Sequence, residues 1–440
     1  MADDPERGVP AKAIVLGGGG FIGSGCVRAL AQAGFRVTAV GRSRPKRLAG
    51  VATARWRTFD MTKADAGGWA DLLADADVVV NAAGALQDGA GDDLTAIHET
   101  AVAAMVDAIG AKAVRIIQIS AAGVSNDATT AFMRTKSRGD AVLMASGLDW
   151  VVLRPSIVIG ADAYGGTALL RAAAGVPWVE PRILATVPVQ TAALADVADA
   201  VVAAARGVIE THTLADLTEP EARAFGETVR MIRSWLGLPA WRLSMPVPKS
   251  LVLALSFAAD GLGRLGWRSP LRSTAIKTLE AGVTADPSAW IGAGGKPFRP
   301  LGETLAAMPA TAQERWFARL YLLLPVLVGS LSAFWLLTGL IALWQREASV
   351  ALLAGRGVSD GFANLVVIGG SVLDIALGAM ILVRRWARHA CLGMVAVSLL
   401  YLIGGTVVAA DLWADPLGPL LKILPAALLP LVTATLLADR

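Results

Sequence analysis

The chain has 440 residues, 55% of them hydrophobic, and a mean hydropathy of +0.55, which makes it too long for one ordinary domain and too apolar for a wholly soluble protein. Its formal net charge of +4 is modest, and its Lys and Arg residues are scattered rather than gathered into a stripe with aromatics, which argues against nucleic acid as a partner. Two cysteines, Cys26 and Cys391, have neither metal-ligand spacing nor a disulfide framework, so no metal is expected.

Residues 1–10 read as an acidic tail without the apolar core of a signal or transit peptide, so the N-terminal domain is expected in the cytoplasm. Then comes the apolar run Ala13-Ile14-Val15-Leu16, the glycine run Gly17 to Gly20, Phe21-Ile22-Gly23 and a helical pattern from Cys26 to Leu30. A strand, a glycine turn and a helix start form a site for a dinucleotide pyrophosphate. The turn needs residues without Cβ, the backbone must approach the phosphates closely, and the helix's unpaired N–H groups face the anion. Gly18, Gly20 and Gly23 give G-x-G-x-x-G while Gly17, Gly20 and Gly23 give G-x-x-G-x-x-G, and the run alone does not choose between them.

Further strands are expected near Phe35 to Val40, Arg55 to Phe59, Asp77 to Asn81, Arg115 to Ser120 and Trp150 to Leu153, alternating with helical patterns. This is the alternation of a Rossmann-type, doubly wound parallel α/β sheet. After the second strand, where an NAD-preferring site usually carries a carboxylate, stand Arg42, Arg44, Lys46 and Arg47. Guanidinium groups suit a 2′-phosphate, so NADP(H) is favoured over NAD(H), with Arg42 as the candidate and Lys46 and Arg47 reading better as a solvated basic loop. Asp60 is a candidate partner of the adenine amino group, and Ala82 and Ala83, within Asn81-Ala82-Ala83-Gly84, are small residues expected against the cofactor.

Between Pro155 and Pro309 helical stretches at Leu194 to Arg206, Glu221 to Leu236 and Lys249 to Leu265 mix with Pro and Gly turns, and strand signals are sparse. Residues 155–310 read as a small substrate lobe completing the cofactor-binding domain of residues 11–310. From 311 the character changes: Leu320 to Trp344, Phe362 to Val383, Ala390 to Ala410 and Leu417 to Leu437 are four apolar runs, each near the ~20 residues that cross a bilayer. An all-α four-helix transmembrane domain over 311–440 is the expectation, against buried helices of a large soluble core. Arg315, Arg319 and the cluster Arg384, Arg385, Arg388 and His389 outweigh Arg346 and Arg356, so both termini are expected on the cytoplasmic side of a bacterial-type inner membrane. Asp374 falls inside the second span, where an ionised carboxylate is costly; it reads either as a proton or ligand site or as a helix-helix hydrogen bond. Lys422, near the outer end of the fourth span, can snorkel.

Three more stretches carry a resemblance: Ile119-Ser120-Ala121-Ala122-Gly123, Phe132-Met133-Arg134-Thr135-Lys136 and Leu153-Arg154-Pro155-Ser156. With the glycine motif they make residues 11–300 similar to atypical and extended short-chain dehydrogenases/reductases, especially NmrA-like NAD(P)H-binding proteins and the nucleotide-binding accessory subunit of respiratory complex I. That resemblance implies a nicotinamide cofactor held by Gly17, Gly20, Phe21, Ile22, Gly23, Ala82, Ala83, Lys136 and Pro155, and a catalytic Ser, Tyr and Lys. Ser120 matches the serine and Lys136 the lysine, but Phe132 stands in the tyrosine's place and has no proton to give. Of three tyrosines only Tyr164 lies outside the spans; it reads either as a substitute acid or as a packing residue. His98 and His212 read as structural. The C-terminal quarter resembles the DoxX-like membrane family through Phe334 to Leu340, Ser349 to Gly357 and Leu373 to Gly378.

Two functions are expected on these grounds. One is a membrane-anchored, NADPH-dependent oxidoreductase acting on a lipophilic or quinone-like small molecule at the lipid surface, since hydride delivery to a quinone does not require the tyrosine. The other is a non-catalytic NAD(P)H-binding sensor or assembly factor.

Overall fold

A computed structural model describes residues 10–43, 54–89, 92–267 and 271–438. Arg44, Lys46 and Arg47 lie outside the described residues. The chain divides into two compact units, residues 1–259 with 269–318, and residues 260–268 with 319–440.

The first unit is built on a seven-stranded parallel sheet. β1 (Lys12–Leu16), β2 (Arg36–Gly41), β3 (Ala54–Thr58), β4 (Val78–Asn81), β5 (Arg115–Ile119) and β6 (Asp149–Pro155) fall where the sequence predicts them. The seventh strand, Thr213–Leu217, is one that the sequence does not announce; it extends the sheet beyond β6, in the order Thr213–Leu217, β6, β5, β4, β1, β2, β3. The order reverses between β4 and β2, on either side of β1, and such a reversal opens a crevice at the strand C-termini. β1, β4 and β5 bury almost every residue because helices cover both faces. Leu30, Val151 and Val201 belong to the core on one face, and Trp69, Met105 and Leu143 to that on the other.

Past β6 the chain forms the short strands Ile157–Ile159 and Thr191–Ala193, paired in parallel, and the helices Gly165–Gly175, Leu194–Ala205 and Phe225–Trp235. The helix expected from Glu221 begins only at Phe225, because Arg223–Ala224 pairs as a strand with Pro188–Val189. Glu219 ties this region to the sheet end. Its buried carboxylate accepts from the Thr191 N–H (2.9 Å) and hydroxyl (2.6 Å), from the Leu301 N–H (2.8 Å) and from Arg223.

Among the described residues, the second unit holds four helices long and apolar enough to cross a membrane, Ala312–Trp344, Asp360–Met380, Arg384–Val408 and Pro419–Ala438, the first beginning in the preceding unit. The loop after the first contains a further helix, Arg346–Ala354. Small residues let the first two helices approach: a Cβ on Gly339 would stand 2.6 Å from the Ser371 carbonyl oxygen, and Ser332 Oγ donates to the Gly378 carbonyl (2.7 Å). Asp374 makes a helix-helix hydrogen bond, accepting from the Tyr401 hydroxyl of the third helix at 2.9 Å.

Candidate cofactor and substrate site

The glycine turn that links β1 to the helix Phe21–Gln32 has the shape a pyrophosphate needs. Gly17 has φ +69°, a conformation that favours glycine, and a Cβ there would meet the Ala83 backbone at 2.7 Å. Gly20 is the helix N-cap and offers no side chain to the first turn, so no side-chain cap competes for the N–H groups that point out of it. Gly23 lies so close to the turn that a Cβ would stand 2.2 Å from the Gly17 oxygen. Gly18 is equally confined, since a Cβ there would stand 2.9 Å from the Ala39 Cβ and 3.0 Å from the Val15 oxygen, so sterics do not choose between the two glycine spacings. The cradle fits a dinucleotide.

Around the cradle, Phe21 is buried and Ile22 half-buried, and Ala82 and Ala83 follow β4 beside the turn, with the Ala82 N–H donating to the Leu16 carbonyl (3.0 Å). Asn81 bridges to Gln118 of β5 (2.8 Å) and accepts from the Ala83 N–H (3.2 Å), which fixes the β4 end. Arg42 follows β2, and its guanidinium pairs with Asp92 at 2.7 Å, a partner fifty residues away that the sequence does not reveal. Asp60 accepts from the Thr62 N–H (3.2 Å) and hydroxyl (2.8 Å) in its own turn. Burial pushes its pKa up, and these bonds with the charges of Lys63 and Arg42 outweigh that, so it ends below the usual value.

The nicotinamide end is expected near Lys136, on the helix Ala131–Met144. Its ammonium is buried and donates to the Ile119 carbonyl (2.9 Å), one of the three hydrogen bonds an ammonium can give. Burial lowers its pKa from the usual lysine value, with the Asp140 charge acting the other way. Phe132 stands one turn earlier, its ring centroid 6.0 Å from Lys136 Nζ and 5.6 Å from the His98 ring. Where a tyrosine would offer a hydroxyl, the site presents an apolar edge. Ser120, matched to the catalytic serine, gives its hydroxyl proton to Asp140 (2.6 Å), and Arg154 donates to the same carboxylate oxygen (3.1 Å). Asp140 is wholly buried, so this trio ties β5, β6 and the Lys136 helix together beneath the site. Pro155 ends β6, its carbonyl accepting from the Ala122 N–H (3.0 Å). Tyr164 caps the helix Gly165–Gly175, is 46% exposed, and its ring stacks on Phe21 at 6.2 Å, next to the glycine turn.

His98 is the residue that sequence reasoning undervalues. It sits in a π-helical turn, Ala96–Thr100, and its Nε2 accepts from the Ala85 N–H (3.2 Å) while Nδ1 lies 2.9 Å from the Thr135 hydroxyl. An Nε2 that accepts leaves the proton on Nδ1, so the ring is neutral. A Cβ on Gly84 would stand 3.2 Å from His98 Nε2 and 3.7 Å from Lys136 Nζ, which places His98 beside the ammonium. Burial, and then the Lys136 charge, lower its pKa to about 3 from 6.5. An unfolded chain takes up a proton on this group near pH 6.5 and the folded one does not. Stability due to His98 is thus fully present above pH 6.5 and is lost as the pH falls towards 3, by up to about 1.4 kcal/mol per pH unit. Thermal unfolding between pH 7.5 and 5 should show a shallower dependence in His98→Gln than in the wild type; equal slopes would contradict the assignment. His212, by contrast, is exposed and contacts the Leu148 carbonyl (3.0 Å).

Comparison with known proteins agrees with this geometry. Residues 17–207 match a family described as NAD(P)H-binding, and residues 332–431 match the DoxX-like family. Similar solved structures include the Bordetella bronchiseptica enzyme WbmG in complex with NAD, 18% identical with a TM-score of 0.53 over 71% of this chain and 97% of that one. Another is UDP-glucuronic acid 4-epimerase from Bacillus cereus in complex with NAD, 17% identical with a TM-score of 0.51 over 70% and 99%. At these identities the likeness is one of fold. Among curated proteins none matches the chain.

Proposed function

From a chain that joins an NAD(P)H-binding Rossmann domain of short-chain-dehydrogenase type to a C-terminal DoxX-like domain, we propose a membrane-tethered, NADPH-dependent oxidoreductase that reduces a lipophilic, quinone-like acceptor. The observation that carries this reading is the pairing of a buried Lys136 with Phe132 in place of a proton donor. When bound, the nicotinamide supplies a hydride. Lys136 has donors to spare for the ribose hydroxyls and so orients the ring, while His98 and Thr135 brace the helix that carries it. With the Ser120 proton given to Asp140 and no hydroxyl on Phe132, neither side chain protonates a developing alkoxide. An acceptor that takes its protons from water needs neither group. Arg42 is the candidate for the 2′-phosphate, which would compete with Asp92 for its guanidinium. The apolar helices would tether the domain where such acceptors dissolve, and the Arg-rich flanks of the first and third spans favour both termini on the cytoplasmic side.

The test is oxidation of NADPH by the purified full chain in detergent, with a panel of short-chain quinones and aldehydes. Quinone-dependent oxidation without aldehyde reduction is expected. Binding without oxidation by any quinone would replace this reading with that of an NAD(P)H-binding sensor, which the Ser120–Asp140 bond and Phe132 also suit. In the same preparation Arg42→Ala should weaken NADPH binding roughly tenfold, the worth of about one charge-assisted hydrogen bond, and leave NADH binding unchanged. An equal effect on both cofactors would remove the 2′-phosphate from Arg42.

A further inference from the structure

The helix Lys249–Arg264 is packed the wrong way round for a water-soluble protein. Its buried positions are the small residues Ser256, Ala259 and Gly263, which recur at helical spacing and form one narrow stripe. The large apolar residues point outward: Leu251 is 49% exposed, Leu255 51% and Phe257 66%, with Leu253, Leu262 and Leu265 exposed as well. In water, burial of each such side chain is worth about 1.5–3 kcal/mol, so a helix that hides its serine and displays its leucines forgoes much of the stabilisation available to it. The same arrangement is favourable in lipid, where small residues make close helix contacts and large ones face the hydrocarbon.

Length excludes a span. The helix has 16 residues, about 24 Å, against roughly 30 Å of hydrocarbon. Its charges, Lys249 and Arg264, stand at the two ends, with Asp260 on the half-buried side. Residues 260–268, the last turn of the helix and the segment beyond it, belong to the unit of apolar helices. Gly266, at φ +89°, turns the chain; Trp267 Nε1 donates to the Leu382 carbonyl (2.6 Å), and the Arg384 N–H donates to the Leu265 carbonyl (3.0 Å). Arg384 also lies over the Trp267 ring at 5.7 Å. The chain is thereby fastened to the turn between the second and third apolar helices, next to the exposed cations Arg385 and Arg388 and the half-exposed Trp386. Tryptophan with arginine at the end of a span marks the level of the lipid headgroups.

We propose that the helix Lys249–Arg264 is an interfacial membrane helix, lying in the plane of the bilayer surface with Leu251, Leu255 and Phe257 in lipid. Arg264 and the Arg384 to Arg388 cluster then face anionic headgroups. The apolar face is buried about 5–10 Å into the headgroup boundary, the depth at which amphipathic interfacial helices lie. This rests on the reading of the four apolar helices as membrane spans, and it does not depend on the cofactor or the reaction.

The full chain is reconstituted into phosphatidylcholine and phosphatidylglycerol vesicles with nitroxide labels on single cysteines. The two native cysteines, both buried, are first replaced by alanine. Labels at Leu251→Cys, Leu255→Cys and Phe257→Cys should collide with dissolved oxygen far more often than with a water-soluble nickel chelate, as should a control label at Leu400→Cys in the third apolar helix. A label at the exposed Lys296→Cys should show the reverse. If Leu400 reads lipid while Phe257 and Leu255 read water, the helix is not interfacial. If those two are shielded from both reagents, a protein surface covers them and the proposal falls. If Leu400 itself reads water, the spanning assignment fails, and that failure is separate from the other two.

Discussion

Replacing Gly23 by alanine is expected to weaken dinucleotide binding by roughly 10- to 100-fold, the equivalent of about 1–3 kcal/mol of overpacking. The added Cβ would arrive 2.2 Å from the Gly17 oxygen, 2.8 Å from the Gly17 carbonyl carbon and 3.1 Å from the Gly18 Cα. All three are backbone atoms, so no side chain can rotate away. Gly17 cannot retreat freely either, since it lies against the Ala83 backbone. The turn must therefore open, and opening it separates the N–H groups that converge on the pyrophosphate. Fluorescence titration with NADPH measures the loss, and circular dichroism checks that the sheet survives. Gly67→Ala is the matched control, because a Cβ there meets only Asp65 Oδ1 at an ordinary 3.8 Å. Unchanged affinity in Gly23→Ala would mean that the cofactor does not use this turn.

Glu219→Ala should cost about 3–5 kcal/mol of stability in the cofactor-binding unit, the usual consequence of removing one partner from a buried charged network. Four donors converge on that carboxylate, two from Thr191, one from Arg223 and one from the Leu301 backbone. Alanine would leave two backbone N–H groups and a hydroxyl without their acceptor, and the Arg223 guanidinium with only its long pairing to Glu221 at 3.9 Å. Removal of Glu219 also disconnects the strand Thr191–Ala193 from the helix Leu301–Ala306. The midpoint of denaturant unfolding should fall sharply, with Glu219→Gln intermediate because an amide oxygen still accepts. A midpoint within error of the wild type would show that water can take over these bonds.

The parts of the fold that are legible in the sequence are those whose signal is local. β1, β4, β5 and β6 announce themselves as short runs of Val, Ile and Leu, since strands covered on both faces need apolar residues at nearly every position, whereas the edge strand β3 carries no such run. The glycine turn, the cation at Arg42 and the missing hydroxyl at Phe132 are likewise visible within a few residues. Thr213–Leu217 escapes because it is an edge strand: Ala215 and Leu217 are buried, and its Ala and Asp are poor strand formers. The supports of the site escape for a different reason. Asp140 lies 20 residues from Ser120, Thr135 lies 37 from His98, and Leu301 lies 82 from Glu219. Pairings of that kind exist only once the sheet has brought the strand ends together. The helix Arg346–Ala354 is missed because a nine-residue helix with no buried face has little periodic pattern.

The late arrival of the seventh strand bears on how the chain is made. During vectorial synthesis β6 has no neighbour on its outer side until Leu217 has left the ribosome, so the row of peptide groups along Val151, Val152 and Leu153 stays open for some sixty residues of elongation. An unpaired apolar strand edge recruits other chains. A fragment cut after β6, at the boundary that the strand pattern alone invites, would expose that edge permanently and should aggregate, whereas one that runs through Leu217 closes the sheet before the first apolar span is translated.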